Sequence, residues 1–184
     1  IRSVEDVLRH EFNSSLTAKD VHIIDPFTGT GTFITRLLQS GLIQPEDLHR
    51  KFTQELHANE IVLLAYYIAA INIEETFHTL QLETHHSKYE GKDKKPEPPG
   101  YTPFDGIVLT DTFQLAEAAA AQSDMEDAMF PVNNKRVTRQ KKAPIRVIIA
   151  NPPYSAGQGS ANDNNQNLEY SLFDHRIEDT FVQH

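Results

Sequence analysis

The chain has 184 residues, 39% of them hydrophobic, which is enough to bury one domain-sized core. Its 26 acidic and 17 basic residues give a formal net charge of −9, which argues against a module that grips DNA by itself, because phosphate neutralisation requires a basic surface. The chain contains no cysteine, which excludes a disulfide, a cysteine-ligated zinc site and a cysteine nucleophile.

The spacing of apolar residues predicts a helix, a strand and a second helix at the start of the chain. The first helix is expected over 3–15, with Ser3 at its start. A short apolar run, 21–25, ends in a Gly-rich turn, as a buried parallel strand does. Helical spacing resumes over 32–39, and Gly41 is placed to end that helix.

The next elements are a short helix, a weaker strand and a long apolar helix. Pro45 opens the short helix, and 54–59 is the strand candidate. The helix expected over 60–77 contains the longest apolar stretch, 61–73, which is interpreted as buried. One side of this helix carries Ile61, Leu64, Ala65, Ile68 and Ile71.

Two insertions and two further strands complete the pattern. By composition, 84–105 is a loop insertion, and 114–145 is a second insertion with helical parts. Strands are expected over 107–111 and 146–150. The last part, 155–184, is expected to be an Asn/Gly-rich loop followed by the start of another segment.

Strands that alternate with helices indicate an α/β fold with a parallel sheet. Ligands of such sheets bind at the carboxyl ends of the strands. Four strand ends are therefore expected to point at one site, and they carry Asp25, Glu60, Asp111 and Asn151.

The segment 25–33 places glycines between a strand and a helix, where the backbone can approach a ligand closely. Ile34 stands where a dinucleotide-binding fingerprint needs its third glycine. Thr32-Phe33 stands where a P-loop needs Lys-Ser or Lys-Thr. A cofactor without phosphates is the better fit, and a tight structural turn is the alternative.

An acidic residue follows the second strand and another follows the third. Glu60 can accept hydrogen bonds from both ribose hydroxyls of a nucleoside, or it is a first-turn glutamate that favours the helix dipole. Asp111 can accept a bond from an adenine amino group, or it forms an Asx turn or N-cap before 113–121. The residues alone leave both choices open.

The four residues 151–154, Asn-Pro-Pro-Tyr, follow directly on an apolar strand. Two prolines fix the backbone and remove N–H donors, so that the Asn151 amide oxygen and backbone carbonyls lie beside one aromatic ring. Such acceptors suit an amino group on an aromatic ring, because they favour its tetrahedral nitrogen in a transition state. Asn151 is expected to polarise that group, and Tyr154 to stack on a base swung out of the duplex.

Together these motifs resemble those of N6-adenine DNA methyltransferases of the γ arrangement, in which the cofactor motifs precede the catalytic motif. The resemblance implies a Rossmann-like class I methyltransferase fold, here an incomplete parallel sheet of four N-terminal strands with helices on both faces. It implies S-adenosylmethionine as cofactor, with cofactor motifs within 21–113 and the catalytic strand and motif at 146–154. The implied cofactor-binding residues are Asp25, Pro26, Phe27, Thr28, Gly29, Gly31, Thr32, Phe33, Glu60, Ile61, Asp111, Thr112 and Phe113. The implied catalytic residues are Asn151, Pro152, Pro153 and Tyr154.

The resemblance also assigns a part of the cofactor to each motif. The glycine loop would surround the methionine part, Glu60 would hold the ribose, and Ile61 would lie against the adenine. Asp111 would bond the adenine amino group.

More narrowly, 22–33, 55–77 and 148–158 look like the methyltransferase region of single-chain Type ISP restriction–modification enzymes. That likeness implies a longer parent protein with nuclease and ATP-driven translocase domains. It would act on double-stranded DNA through a target-recognition region that this chain lacks. The family's first cofactor motif, a Thr-Pro-containing segment, and its later strands are also absent. A cytoplasmic bacterial protein without a membrane segment is expected.

The residues also allow other functions. Asn-Pro-Pro-Tyr occurs in enzymes that methylate RNA bases or the glutamine side chain of protein release factors, and a non-catalytic module of the same fold is a further alternative. An NAD-dependent oxidoreductase comes last because the third glycine is missing. His85-His86 lack a third ligand at suitable spacing, so no metal site is expected. A basic cluster is interpreted as a solvated helix face or a phosphate contact, and it comprises Lys135, Arg136, Arg139, Lys141 and Lys142.

Overall fold

The computed structural model describes residues 1–92, 96–117, 130–152 and 171–182. The helices are α1 (Arg2–Phe12), α2 (Thr32–Gln39), α3 (Pro45–Arg50), α4 (Leu63–Tyr89), α5 (Gln114–Glu117), α6 (Pro131–Lys141) and α7 (Ser171–Ile177). The strands are β1 (His22–Asp25), β2 (Leu56–Glu60), β3 (Ile107–Leu109) and β4 (Ile145–Ile148). Short π-helical turns span Lys51–Glu55 and Glu178–Val182.

The four strands form one parallel sheet in the order β3-β2-β1-β4. Ile23 of β1 lies opposite Leu56 of β2 and Val147 of β4, and Asn59 of β2 lies opposite Val108 of β3. Helices connect the strands, so the predicted α/β fold with a Rossmann-like parallel sheet is confirmed.

The first helix is shorter than its apolar pattern suggests. It spans Arg2–Phe12 rather than 3–15, because Asn13 adopts a left-handed conformation with φ of 47° and ends it. Ser3 lies inside the helix and does not cap it, since Ile1 occupies the N-cap position. A buried carboxylate fixes the chain after the helix, with Glu5 accepting a 2.7 Å hydrogen bond from the Leu16 backbone N–H.

The second strand begins two residues later than expected, at Leu56 instead of position 54. The preceding residues form a π-helical turn around a buried ion pair, in which Lys51 Nζ lies 2.7 Å from Glu55 Oε2. Lys51 also donates to the carbonyl oxygens of Ala18 and Val21, at 2.7 and 2.8 Å. This charged side chain is fully buried, and its three partners hold the turn against the start of β1.

The apolar stretch 61–73 is largely exposed, which corrects its interpretation as a buried helix. Helix α4 packs on the sheet through Ala69, Ile73 and Phe77, which recur every fourth residue. Both sides of this helix carry apolar residues, so the apolar spacing could not select the buried side. The exposed large side chains are Ile61, Val62, Leu63, Leu64, Tyr67, Ile68 and Ile71. No helix among the described residues has the length and apolar character needed to cross a bilayer.

The basic cluster on α6 is partly used inside the fold. Arg136 forms an ion pair with the Asp105 carboxylate and donates to the Tyr66 hydroxyl at 3.1 Å. Arg139 donates to the Asp105 backbone carbonyl. These contacts attach α6 to the loop before β3, while Lys135, Lys141 and Lys142 are exposed. The predicted solvated face therefore describes the three lysines and Arg139, which is exposed despite its bond to Asp105, but not Arg136.

Gly31→Ala is expected to destabilise the fold more than Gly29→Ala. Both glycines have positive φ, 89° and 57°, so either alanine costs about 1 kcal/mol for the left-handed backbone. A Cβ at Gly31 would lie 3.2 Å from Ile73 Cγ1 and 3.3 Å from Ala69 backbone atoms, whereas at Gly29 it meets nothing within 4 Å. Urea denaturation should give losses of about 1 kcal/mol for Gly29→Ala and about 2–3 kcal/mol for Gly31→Ala. Equal losses would contradict the close packing of the glycine loop on α4.

Candidate functional site

The carboxyl ends of the four strands line one edge of the sheet, because all strand pairs are parallel. Along this edge the polar residues follow in the order Asp111, Glu60, Asp25 and Asn151. Neighbouring strands lie about 4.8 Å apart, so these residues are spread over roughly 15 Å.

The glycine loop between β1 and α2 is held to β2 through its backbone. The Thr28 N–H donates to the Asn59 carbonyl at 2.9 Å, and the Thr28 hydroxyl donates to the Asp25 carbonyl at 2.8 Å. The Gly31 N–H donates to the Thr28 carbonyl at 3.0 Å, which closes the turn. The loop therefore has a fixed shape directly above the ends of β1 and β2.

Glu60 joins the glycine loop to the start of α4. Its Oε2 accepts from the Gly29 N–H and its Oε1 from the Val62 N–H, both at 2.8 Å. Glu60 therefore does bind the start of α4, through the N–H of its N-cap residue Val62. A carboxylate oxygen can accept two hydrogen bonds, so these contacts are compatible with further bonds from a ligand.

Asp25 is buried beneath the glycine loop. Its Oδ1 accepts from the Phe27 N–H at 3.2 Å, while its Oδ2 is buried and has no hydrogen-bond partner in the part of the chain that the structure describes. Burial raises the pKa of Asp25 to about 6, and the nearby charge of Glu60 acts in the same direction. A buried acceptor oxygen without a donor marks a place where a cationic or N–H group can bind.

Asp111 organises the loop after β3. Its Oδ1 accepts from the backbone N–H groups of Phe113 and Gln114, at 2.9 and 3.4 Å, in an Asx turn that leads into α5. This is the turn that the sequence left as one of two choices. The next residue, Thr112, donates its hydroxyl to the Pro26 carbonyl at 2.6 Å and so ties this loop to the glycine loop.

Asn151 and Pro152 are exposed at the end of β4. The Ile149 N–H donates to the Ile24 carbonyl at 2.9 Å, so the chain stays beside β1 until two residues before Asn151. Pro153 and Tyr154 lie outside the described residues, as do 155–170.

No protein-family model matches the sequence, and no curated protein matches it. Solved structures do match. One is a nuclease-deletion mutant of the Type ISP restriction–modification enzyme LlaGI in complex with a DNA substrate mimic, with 49% identity over 100% of this chain and a TM-score of 0.78. Another is the ATP-dependent Type ISP restriction–modification enzyme LlaBIII bound to DNA, with 46% identity over 98% and a TM-score of 0.79. A DrdV–DNA complex shows 38% identity over 97% and a TM-score of 0.77.

This chain is related to a region of the Type ISP restriction–modification enzymes. The resemblance predicted from 22–33, 55–77 and 148–158 is therefore confirmed. The related region is small, since the chain spans 14% of the LlaGI chain, 11% of the LlaBIII chain and 15% of the DrdV chain.

In this Type ISP-like region, most of the predicted cofactor residues gather at the same edge. The Phe27 and Phe113 rings contact each other at a tilt of 40° with centroids 5.1 Å apart, which joins the loop after β1 to the loop after β3. Ile61 is 55% exposed directly after Glu60, which leaves an apolar surface beside that carboxylate. Thr32 and Phe33 begin α2 directly after the glycine loop, with Thr32 exposed and Phe33 half-buried.

Two residues at this edge were not predicted from the sequence. Asn59 lies almost fully buried in β2 and donates from Nδ2 to the Thr112 hydroxyl at 3.1 Å. No clear sequence signal marks it, because β2 contains three polar residues among its five. The ring centroids of Phe173 in α7 and Phe113 are 5.3 Å apart. No local sequence pattern connects these two residues.

Proposed function

We propose that this chain is the cofactor-binding and catalytic-motif region of an enzyme that transfers a methyl group from S-adenosylmethionine to the N6 amino group of adenine in DNA. The parent would be a restriction–modification enzyme. The observation that carries the proposal is the glycine loop, bonded to Glu60 at the edge where Asp25 has an oxygen without a hydrogen-bond partner among the described residues and where the chain leaves β4 toward Asn151.

The residues at the edge fit S-adenosylmethionine better than a phosphate-bearing cofactor. The methionine part carries an ammonium group, for which the buried Oδ2 of Asp25 is a suitable acceptor. Glu60, one strand further along, would accept the ribose hydroxyls, and the exposed Ile61 would contact the adenine face. Asp111 would accept the adenine amino hydrogen at the end of the row. No Lys or Arg stands in segment 25–33, where a phosphate would need one.

The chemistry follows from the position of Asn151. The bound cofactor supplies an electrophilic methyl group on a sulfonium centre. β4 adjoins β1, so Asn151 would hold the target nitrogen about one strand spacing from the methionine end, roughly 5 Å. Its amide oxygen and the neighbouring carbonyls would accept hydrogen bonds from the two amino hydrogens. These bonds would favour a tetrahedral nitrogen in the transition state. Placement of the target nitrogen in line with the bond between the sulfur and the methyl group would contribute the remainder of the rate increase.

DNA is the proposed acceptor because the related proteins were solved with it. LlaGI is described in complex with a DNA substrate mimic, LlaBIII bound to DNA, and DrdV as a DNA complex. The net charge of −9 indicates that another region would supply the basic groove for the phosphates.

The test is transfer of a labelled methyl group by the full-length protein. It should be incubated with methyl-labelled S-adenosylmethionine and, separately, double-stranded DNA, structured RNA and a protein release factor. Label in DNA alone is expected. Label in RNA or protein would assign one of the alternative acceptors, and cofactor binding without any transfer would indicate a non-catalytic module.

The affinity for S-adenosylmethionine is expected to fall as the pH is lowered below about 6. The pKa of Asp25 is raised to about 6, so this carboxyl takes up a proton there and can no longer attract an ammonium group. Binding would then be linked to release of one proton, with a loss approaching tenfold per pH unit at most. Calorimetry between pH 5 and 7 measures this. Asp25→Asn should bind more weakly with little pH dependence, and an unchanged slope in that variant would contradict the role of Asp25.

A further inference from the structure

At the outer edge of β3, the backbone of Leu109 is hydrogen-bonded by the side chain of Asn133. The backbone groups of Gly106 and Thr110 face β2, with Thr110 N–H donating to the Glu60 carbonyl at 2.9 Å and the Gly106 carbonyl accepting from Ala58 N–H at 3.0 Å. Alternate residues of a strand present their N–H and C=O to opposite sides, so Leu109 presents both groups away from the sheet. No strand lies beside it on that side in the described sheet.

Asn133 takes the place of the missing strand at Leu109. Its Oδ1 accepts from the Leu109 N–H at 2.8 Å, and its Nδ2 donates to the Leu109 carbonyl at 3.0 Å. A side-chain amide carries one acceptor and two donors, so it can reproduce the pair of bonds that a neighbouring strand makes. Pro131 opens α6 and places Asn133 in the first turn of this helix.

We propose that Asn133 is a positioning residue for the adenine end of the cofactor pocket, an assignment that rests on the proposed function. Leu109 is two residues before Asp111, the proposed acceptor for the adenine amino group. The Asx turn of Asp111 orients its side chain within its own loop, but the strand beneath sets where that loop stands. Hydrogen bonds on both sides fix the strand end. The Thr110 N–H donates to the Glu60 carbonyl on one side, and the Asn133 amide pairs with the Leu109 backbone on the other. A hydrogen-bonding group displaced by about 1 Å loses most of its specificity.

The attachment of α6 does not depend on Asn133 alone. Arg136 and Arg139 bind Asp105 at the other end of β3, and Val137 of α6 is buried. Replacing Asn133 should therefore release the strand end locally and leave the helix in place. This separates positioning from general stability.

The experiment measures recognition of the adenine amino group. The full-length protein and its variants are titrated with S-adenosylhomocysteine and with the analogue whose purine carries hydrogen in place of the 6-amino group. The unsubstituted protein should prefer the amino compound by about 10- to 100-fold. Asn133→Ala should reduce that preference to about threefold or less, because the Asp111 loop is no longer held in register. Asn133→Asp should do the same, since it sets an oxygen against the Leu109 carbonyl.

Two variants on the same helix serve as controls. Lys135→Ala changes an exposed residue of α6 and should leave both affinities unaltered. Val137→Ala loosens the helix packing, so it should lower the melting temperature while the amino preference persists. A preference kept by both Asn133 variants, or lost equally in Val137→Ala, would overturn the assignment while leaving the proposed function intact. Absence of S-adenosylhomocysteine binding by the unsubstituted protein would instead overturn the proposed function and this assignment with it.

Discussion

Asn151→Ala is expected to lower the single-turnover rate of methyl transfer by about 10²–10³-fold, the usual cost of removing one bond that stabilises a transition state. Its amide oxygen would act chiefly when the target nitrogen becomes tetrahedral, so the ground-state complex should be affected little. DNA affinity is therefore expected to stay within about threefold of the original. Both quantities must be measured on the full-length protein, by rapid quench and by fluorescence anisotropy. Near-normal turnover in Asn151→Ala would contradict the role of this residue.

Changes at Tyr154 should have a different signature. Stacking holds the extruded base before and during transfer, so Tyr154→Ala should weaken binding as well as turnover, at a total cost of about 1–3 kcal/mol. Tyr154→Phe keeps the ring and should be mild. If the two substitutions were equally damaging, the hydroxyl rather than the ring would carry the function of Tyr154.

Glu60→Ala is expected to weaken S-adenosylmethionine binding by about 100-fold or more, since two charge-assisted hydrogen bonds to the ribose would be lost. The same change leaves the N–H groups of Gly29 and Val62 without their present acceptor. Part of the loss would therefore come from a loosened glycine loop, and affinity alone cannot assign the ribose contact.

A 2′-deoxyribose analogue of S-adenosylhomocysteine separates these two effects. The unsubstituted protein should prefer the ribose compound by about tenfold or more, and Glu60→Ala should bind both compounds equally weakly. Asn72→Ala is a suitable control, because it removes a hydrogen bond to the Thr30 carbonyl of the glycine loop and leaves the Glu60 carboxylate in place. A ribose preference that survives in Glu60→Ala would contradict the assignment of Glu60.

The strand ends were predictable because a local pattern marks each of them. An apolar run that stops at or just before Asp25, Asp111 or Asn151 identifies a strand together with a polar residue at its carboxyl end. Parallel pairing then brings those ends to one edge whatever the exact strand bounds. The prediction that these strand ends lie along one edge of the sheet was therefore correct, although the strand expected over 54–59 starts at Leu56.

The buried side of α4 could not be predicted for a physical reason. Apolar residues surround its first turns, so the helical period offers two equivalent faces. The choice is made by close approach, since Ala69 packs against Gly31 of the neighbouring loop. Such a contact depends on tertiary geometry that the local sequence does not encode.

Long-range polar contacts were the other features that the sequence did not reveal. Glu60 and Gly29 are 31 residues apart, and Asn133 and Leu109 are 24 apart. Glu60 was predicted either to bind a ribose or to favour the helix dipole. Neither prediction included its bond to the glycine loop, which follows from the pairing of β1 with β2. Asn133 stood in a basic insertion that gave no sign of its role.

The identity of the methylated nucleoside tests the central claim most directly. DNA that lacks methylated bases should be treated with the full-length protein and S-adenosylmethionine, digested to nucleosides and analysed by mass spectrometry. The predicted product of the unsubstituted protein is N6-methyladenine. The Asn151→Ala variant should give none. C5-methylcytosine as the product, or no methylated nucleoside from a protein that binds both cofactor and DNA, would contradict it.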